Sequence, residues 1–97
     1  GVQGHVDRVS DKLVSGWAMM ADDNQPVAIK ISINGEQAFT TVADRPRSDL
    51  KTKGLHSTGN CGFRLIWPKG VKPKVGDKVS VTAGPADSDL ARSPWVI

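Results

Sequence analysis

The sequence predicts an all-β fold, a small antiparallel β-sandwich of about six to eight strands with one short helical crossover. Three observations predict it. Val27, Ile29, Ile31 and Ile33 alternate with Ala28, Lys30, Ser32 and Asn34, the period of two that a half-buried strand requires. Short strand-like runs recur between turn signals along the whole chain. Helical periodicity is nearly absent, and the one exception lies in the charged stretch from Ala43 to Gly54.

In chain order, Val2 to Ser10 alternates only loosely and reads as an edge strand. Asp11-Lys12 makes a turn. Leu13 to Met20 is apolar on both parities, which suits a strand covered on both faces or one at a sandwich corner, and the pattern leaves open which face carries Trp17. Ala21 to Pro26 is an acidic loop. The alternating strand that follows ends at Asn34-Gly35, the dipeptide favoured by a type I′ hairpin turn because both central residues need positive φ. A two-residue turn sets Ile33 opposite Glu36, Ile31 opposite Ala38, Ile29 opposite Thr40 and Val27 opposite Val42. The return strand runs to about Ala43.

Pro46 bars a central strand from the crossover, since proline cannot donate to a ladder. Ser48 to Gly54 has a polar start, lysines near its end and a glycine stop, so it predicts a helix of one to two turns. Beyond the loop from Leu55 to Asn60, the residues Cys61, Phe63, Leu65 and Trp67 alternate with Gly62, Arg64 and Ile66 as another strand, ended by Pro68. A last clear strand passes through Val79, Val81 and Ala83. The loop from Gly84 to Asp89 leads to a short apolar end, Ser93-Pro94-Trp95-Val96-Ile97.

At 97 residues, 38% hydrophobic and 24% charged, the chain fits one domain, residues 1–97, with a single core. It begins at Gly1 without a signal-peptide pattern, which suggests a piece of a larger protein whose targeting signals lie elsewhere. No apolar run approaches the roughly 20 residues of a membrane helix, so membrane insertion is not expected. A net charge of +3 is too small to argue for nucleic acid. The basic segment Lys69, Lys72, Lys74 and Lys78 lies in a Pro/Gly loop without interleaved aromatics and reads as solvated. The lone Cys61 excludes an internal disulfide and leaves the compartment open.

No motif points to catalysis, and no cofactor or metal site is expected. Asp87-Ser88-Asp89 has the Asp-X-Asp form of many glycosyltransferases but not their nucleotide-binding α/β context. Asp22-Asp23-Asn24 lacks the ligand spacing of a calcium loop. Turn chemistry accounts for both. His56 and Cys61 are close in sequence, yet nothing supplies the rest of a nucleophile site. Cys61 reads as a small buried hydrophobe and His56 as a loop residue. Asp44, Arg45, Arg47 and Asp49 form a charged crossover that must satisfy its own backbone groups, a role suited to Asp44 and Arg47. With two Phe and no Tyr, few other side chains can fill a sandwich, so Trp17 is expected in the core. Trp67, at a strand end, and Trp95, near the last proline, are the candidates for carbohydrate contact, since a flat aromatic face packs on the CH face of a pyranose.

Three separated signatures stand together: Val14-Ser15-Gly16-Trp17-Ala18, then Ala43-Asp44-Arg45-Pro46-Arg47-Ser48-Asp49-Leu50, then Cys61-Gly62-Phe63 before an apolar strand. With the Asn34-Gly35 hairpin between the first two and Ser93-Pro94 near the end, the chain resembles a family of small bacterial β-sandwich modules appended to glycosyltransferases and other surface-polysaccharide proteins. The resemblance implies a non-catalytic accessory role, as a glycan-binding or enzyme-positioning module. Its partner would be a glycan or a neighbouring domain of the same polypeptide, and its compartment that of the parent protein. The alternative is a structural spacer or protein-interaction domain with no ligand of its own.

Overall fold

The computed structural model describes residues 1–21 and 24–97, with the side chains at 37 and 38 left aside. Two antiparallel sheets face each other across one core. The first has the strand order β1-β2-β6-β5, formed by Val2–Val9 (β1), Leu13–Met20 (β2), Asn60–Ile66 (β6) and Arg45–Pro46 (β5). The second has the order β4-β3-β7-β8, formed by Val27–Ile33 (β3), Glu36–Ala43 (β4), Lys78–Ala83 (β7) and Ser88–Asp89 (β8), with Trp95–Val96 (β9) also paired to β7. A short helix, Ser48–Thr52 (α1), follows β5 and buries Leu50. The expected all-β sandwich architecture and its helical crossover are therefore present, together with two-residue strands too short to leave an alternation in the sequence.

The core is the inward parity of each strand. Val6, Val14, Ala18 and Phe63 come from the first sheet, and Val27, Ile29, Ile31, Val79, Val81 and Ala83 from the second. Burying a Val or Ile side chain of this kind contributes about 1.5–3 kcal/mol. Cys61 is buried as expected, and burial pushes its thiol up from the ordinary value.

Two bulges set which residues reach that core. On β4 the pairing begins as expected, with Ile33 opposite Glu36, but the register shifts between Ile31 and Ser32, so that Ile31 meets Phe39, Ile29 meets Thr41 and Val27 meets Ala43. The expected pairs beyond the turn are thus displaced by one residue. The physical reason is packing. The extra residue turns Phe39 and Ala43 inward and leaves Val42 exposed, and Phe39 meets the Trp67 ring edge to face at 5.7 Å between centroids. On β1 the register shifts between Val6 and Arg8, which places Asp7 and Arg8 together on the outer side. That break is why the segment alternates only loosely in sequence. The turn itself is as predicted, with φ 52° at Asn34 and 84° at Gly35. Asn34 also binds Asp77 and the Lys78 backbone, tying the hairpin tip to β7.

The chain between Leu90 and Ser93 joins the two sheets. The Leu90 amide donates to the Val81 carbonyl, while Ala91 exchanges backbone hydrogen bonds with Val6 and Gly4 on the free edge of β1.

Candidate functional site

The outer face of the first sheet is where chemistry-bearing side chains converge. On β2 the burial alternates, with Val14, Gly16 and Ala18 buried and Ser15 and Trp17 half-buried, so Trp17 projects away from the core. Directly paired residues of antiparallel strands share a face. One cross-strand row therefore reads His5, Trp17, Gly62 and Arg45, and the next reads Arg8, Ser15 and Arg64. A third holds Leu13 and Ile66, the latter 61% exposed.

Arg47 crosses this face. Its Nε and Nη2 donate to the two carboxylate oxygens of Asp49 at 3.0 and 2.9 Å, and its Nη1 donates to Asp7 Oδ2 at 2.7 Å, so one guanidinium ties α1 to the bulge of β1. The sequence permits the crossing at Gly62, where a Cβ would stand 2.8 Å from Arg47 Cγ. The hydrogen bond to Asp49, partly offset by burial, and the interactions with Asp7 hold Arg47 firmly protonated. The same hydrogen bond keeps the Asp49 carboxyl below its ordinary range. Asp7 also meets His5, with Nδ1 and Oδ1 2.9 Å apart. Beside the clasp lies a shallow groove of about 220 Å³, lined by Asp7, Ser15, Arg45, Arg47, Gly62 and Arg64 among others.

The crossover residues thus divide. Arg47 and Asp49 form the clasp. Asp44 and Arg45 are exposed and make no side-chain hydrogen bond or ion pair among the described residues, so the expected backbone-satisfying role of Asp44 is not what the structure has. Backbone groups do that work instead, through the pairing of β5 with β6 and the hydrogen bond from Arg47 N to Gly59 O.

The tryptophans exchange the places expected of them. Trp67, expected at a rim, is 6% exposed and packed in the core, with Nε1 donating to the Ser10 carbonyl at 2.9 Å. One residue past β6, Trp67 keeps the inward parity of Phe63 and Leu65, and its ring meets Phe39. Trp17, expected in the core, stands on the outer face. Trp95 is half-buried against the core, with the Arg92 guanidinium 4.3 Å from its ring centroid, so a sugar approaching that face meets Arg92 first.

His56 is buried, and its Nδ1 accepts from the backbone amides of Thr58 and Gly59 at 3.3 and 3.0 Å, which makes it the staple of the loop after α1. Asp87 holds Lys30 at 2.8 Å and Asp89 receives the Ser93 hydroxyl at 3.4 Å, so both act in the turn. Asp22 and Asp23 lie outside the described residues. No helix among the described residues is long and apolar enough to cross a membrane. Two larger hollows, of about 390 Å³ beside Pro26 and about 530 Å³ beside Pro73, have mainly apolar walls, and their lysines Lys30 and Lys72 are held by Asp87 and Asp11.

Comparison of the chain with protein-family models, curated proteins and solved structures finds no match in any of the three. The sheets and helix define a small all-β domain, and the outer face of its first sheet is the region in which an aromatic ring, several cations and a groove adjoin.

Proposed function

We propose that this domain is a non-catalytic carbohydrate-associated module of a bacterial surface-polysaccharide protein, holding a glycan on the outer face of the four-stranded sheet near an enzyme on the same polypeptide. The observation that carries this reading is Trp17. A large aromatic side chain turned away from the core, opposite Gly62 with the Arg47 stem passing over it, and close to a groove lined by hydrogen-bond donors, supports the reading of an apolar platform and polar rim for a pyranose. Tethering to an enzyme would raise the local concentration of its substrate without any catalytic residue in the domain.

The test is a titration of bacterial polysaccharides followed by tryptophan fluorescence and by NMR. A saturable response at the Trp17 indole, lost in Trp17→Ala while the melting temperature holds, supports the reading. A second reading, a protein-interaction face or spacer, draws on Leu13 and the 61% exposed Ile66 in the same face. Silence across the glycan panel, with NMR shifts centred on Leu13 and Ile66 when the adjoining domain is added, supports that second reading instead.

A further inference from the structure

We infer, on the basis of the glycan-binding reading, that the saccharide held on this face is acidic, and that Arg8, Arg45 and Arg64 are the cations that receive its anionic groups. Lys30 is paired with Asp87, Lys72 with Asp11, and Arg47 with both Asp7 and Asp49. The side chains of Arg8, Arg45 and Arg64 have no hydrogen bond or ion pair to any described residue, and the same holds for Lys12, Lys51, Lys53, Lys69, Lys74 and Lys78. What sets the three arginines apart is that they share one sheet face. Arg8 and Arg64 flank Ser15 in one cross-strand row, and Arg45 ends the adjacent row that contains Trp17.

The two carboxylates near them, Asp7 and Asp49, are bonded to Arg47 and share its one charge, so the clasp keeps a single net negative charge against the three positive charges of Arg8, Arg45 and Arg64. Asp44, next to Arg45 in the chain, does not line the groove. Two strand spacings separate Arg8 from Arg64, a distance of about 10 Å, and successive outward rows lie about 7 Å apart along the strands. That area suits two linked sugar rings, with Trp17 under one ring and guanidinium forks at its margins. Ser15, small and central in its row, lines the groove beside the Arg47 clasp. A guanidinium binds a carboxylate, sulfate or phosphate through two parallel donors, a geometry a neutral hydroxyl does not match. A polynucleotide fits less well, because Trp17 is the one Phe, Tyr or Trp side chain among the described residues of this face and successive bases need successive rings.

The experiment compares an oligogalacturonate with its fully methyl-esterified form by calorimetry and Trp17 fluorescence. Sulfated and phosphorylated oligosaccharides, neutral bacterial polysaccharides and single-stranded oligothymidylate are run alongside. The acidic form is expected to bind roughly tenfold or more tightly than the ester at low ionic strength, with the preference shrinking as salt rises. Arg8→Gln combined with Arg45→Gln and Arg64→Gln, all at exposed positions, should abolish that preference and leave the melting temperature unchanged. The carboxylate, sulfate and phosphate arms identify which anion is preferred. Equal affinity for acid and ester, an acid preference that survives the triple substitution, or tighter binding of oligothymidylate would overturn the inference. Binding of neutral polysaccharides alone overturns it while leaving the glycan reading in place, and the absence of binding to any saccharide overturns both.

Discussion

Trp17, in β2, and Trp67, one residue past the neighbouring β6, are the same residue type, and the sandwich uses them in opposite ways. Trp67 lies just past β6 with its ring turned inward, its indole nitrogen satisfied by Ser10 and its edge against Phe39. Trp17 sits in the middle of β2, between His5 and Gly62, with its ring turned outward. Hydrophobicity does not distinguish them. Strand parity does, because a two-layer fold has one interior and alternate residues of a strand cannot all enter it. The core ring contributes to folding through its burial, whereas the outward ring lies outside the core and is half-buried.

The sharpest way to break this contrast is to truncate both rings. Trp67→Ala should cost about 3–5 kcal/mol in urea unfolding through the cavity it leaves. Trp17→Ala should cost less than about 1 kcal/mol, and similar losses in the two variants would end the distinction drawn here. Next in size are the two glycines beside Trp17, Gly16 in the chain and Gly62 across the strand. A Cβ at Gly16 would face the Phe63 ring at 2.8 Å and the His5 carbonyl in the interior, so Gly16→Ala should destabilise by about 1–3 kcal/mol. Gly62→Ala presses instead on Arg47 Cγ, and its effect should be smaller in thermal melts and visible as NMR shifts at Asp7 and Asp49.

The smallest expected effect is one of pH. Asp49 is held below its ordinary value of 3.8 by Arg47, and Asp77 by the Lys74 amide and Asn34. A carboxylate depressed by folding contributes stability that is complete above its unfolded value and lost as pH falls through the lower folded one. Melting temperature should therefore be flat from neutral pH down to about 5 and decline below about 4. Arg47→Met should remove part of that decline, and an unchanged acid profile would show that the outer clasp contributes nothing to stability.

The sequence made some of this legible and hid the rest for identifiable reasons. β3 announced itself because one of its faces is core and the other is not, and Asn34-Gly35 named its turn through the backbone conformation it adopts most easily. The bulge on β4 left no mark, and the ring that Phe39 meets across it, Trp67, lies far along the chain. β2 is apolar on both parities, so the direction of Trp17 was not decidable from the strand alone. The candidate face was hidden for a stronger reason. Arg8, Ser15 and Arg64 become neighbours only through the register of three strands, and Asp7 and Arg47 meet across 40 residues of chain. The crossover showed its charges, but not that Arg47 and Asp49 would bond while Asp44 and Arg45 stayed exposed.

The backbone bonds of Ala91 to Gly4 and Val6 have a consequence beyond joining the sheets. β1 ends its sheet, and an open strand edge invites a second molecule to extend the ladder. A single bridge placed mid-strand interrupts that edge where an incoming strand would need uninterrupted partners. In a concentrated solution, or in a protein carrying several such domains in tandem, Ala91 would keep adjacent copies from zipping together. Ala91→Pro, which deletes the donor to Gly4, should show its effect as association on size-exclusion chromatography.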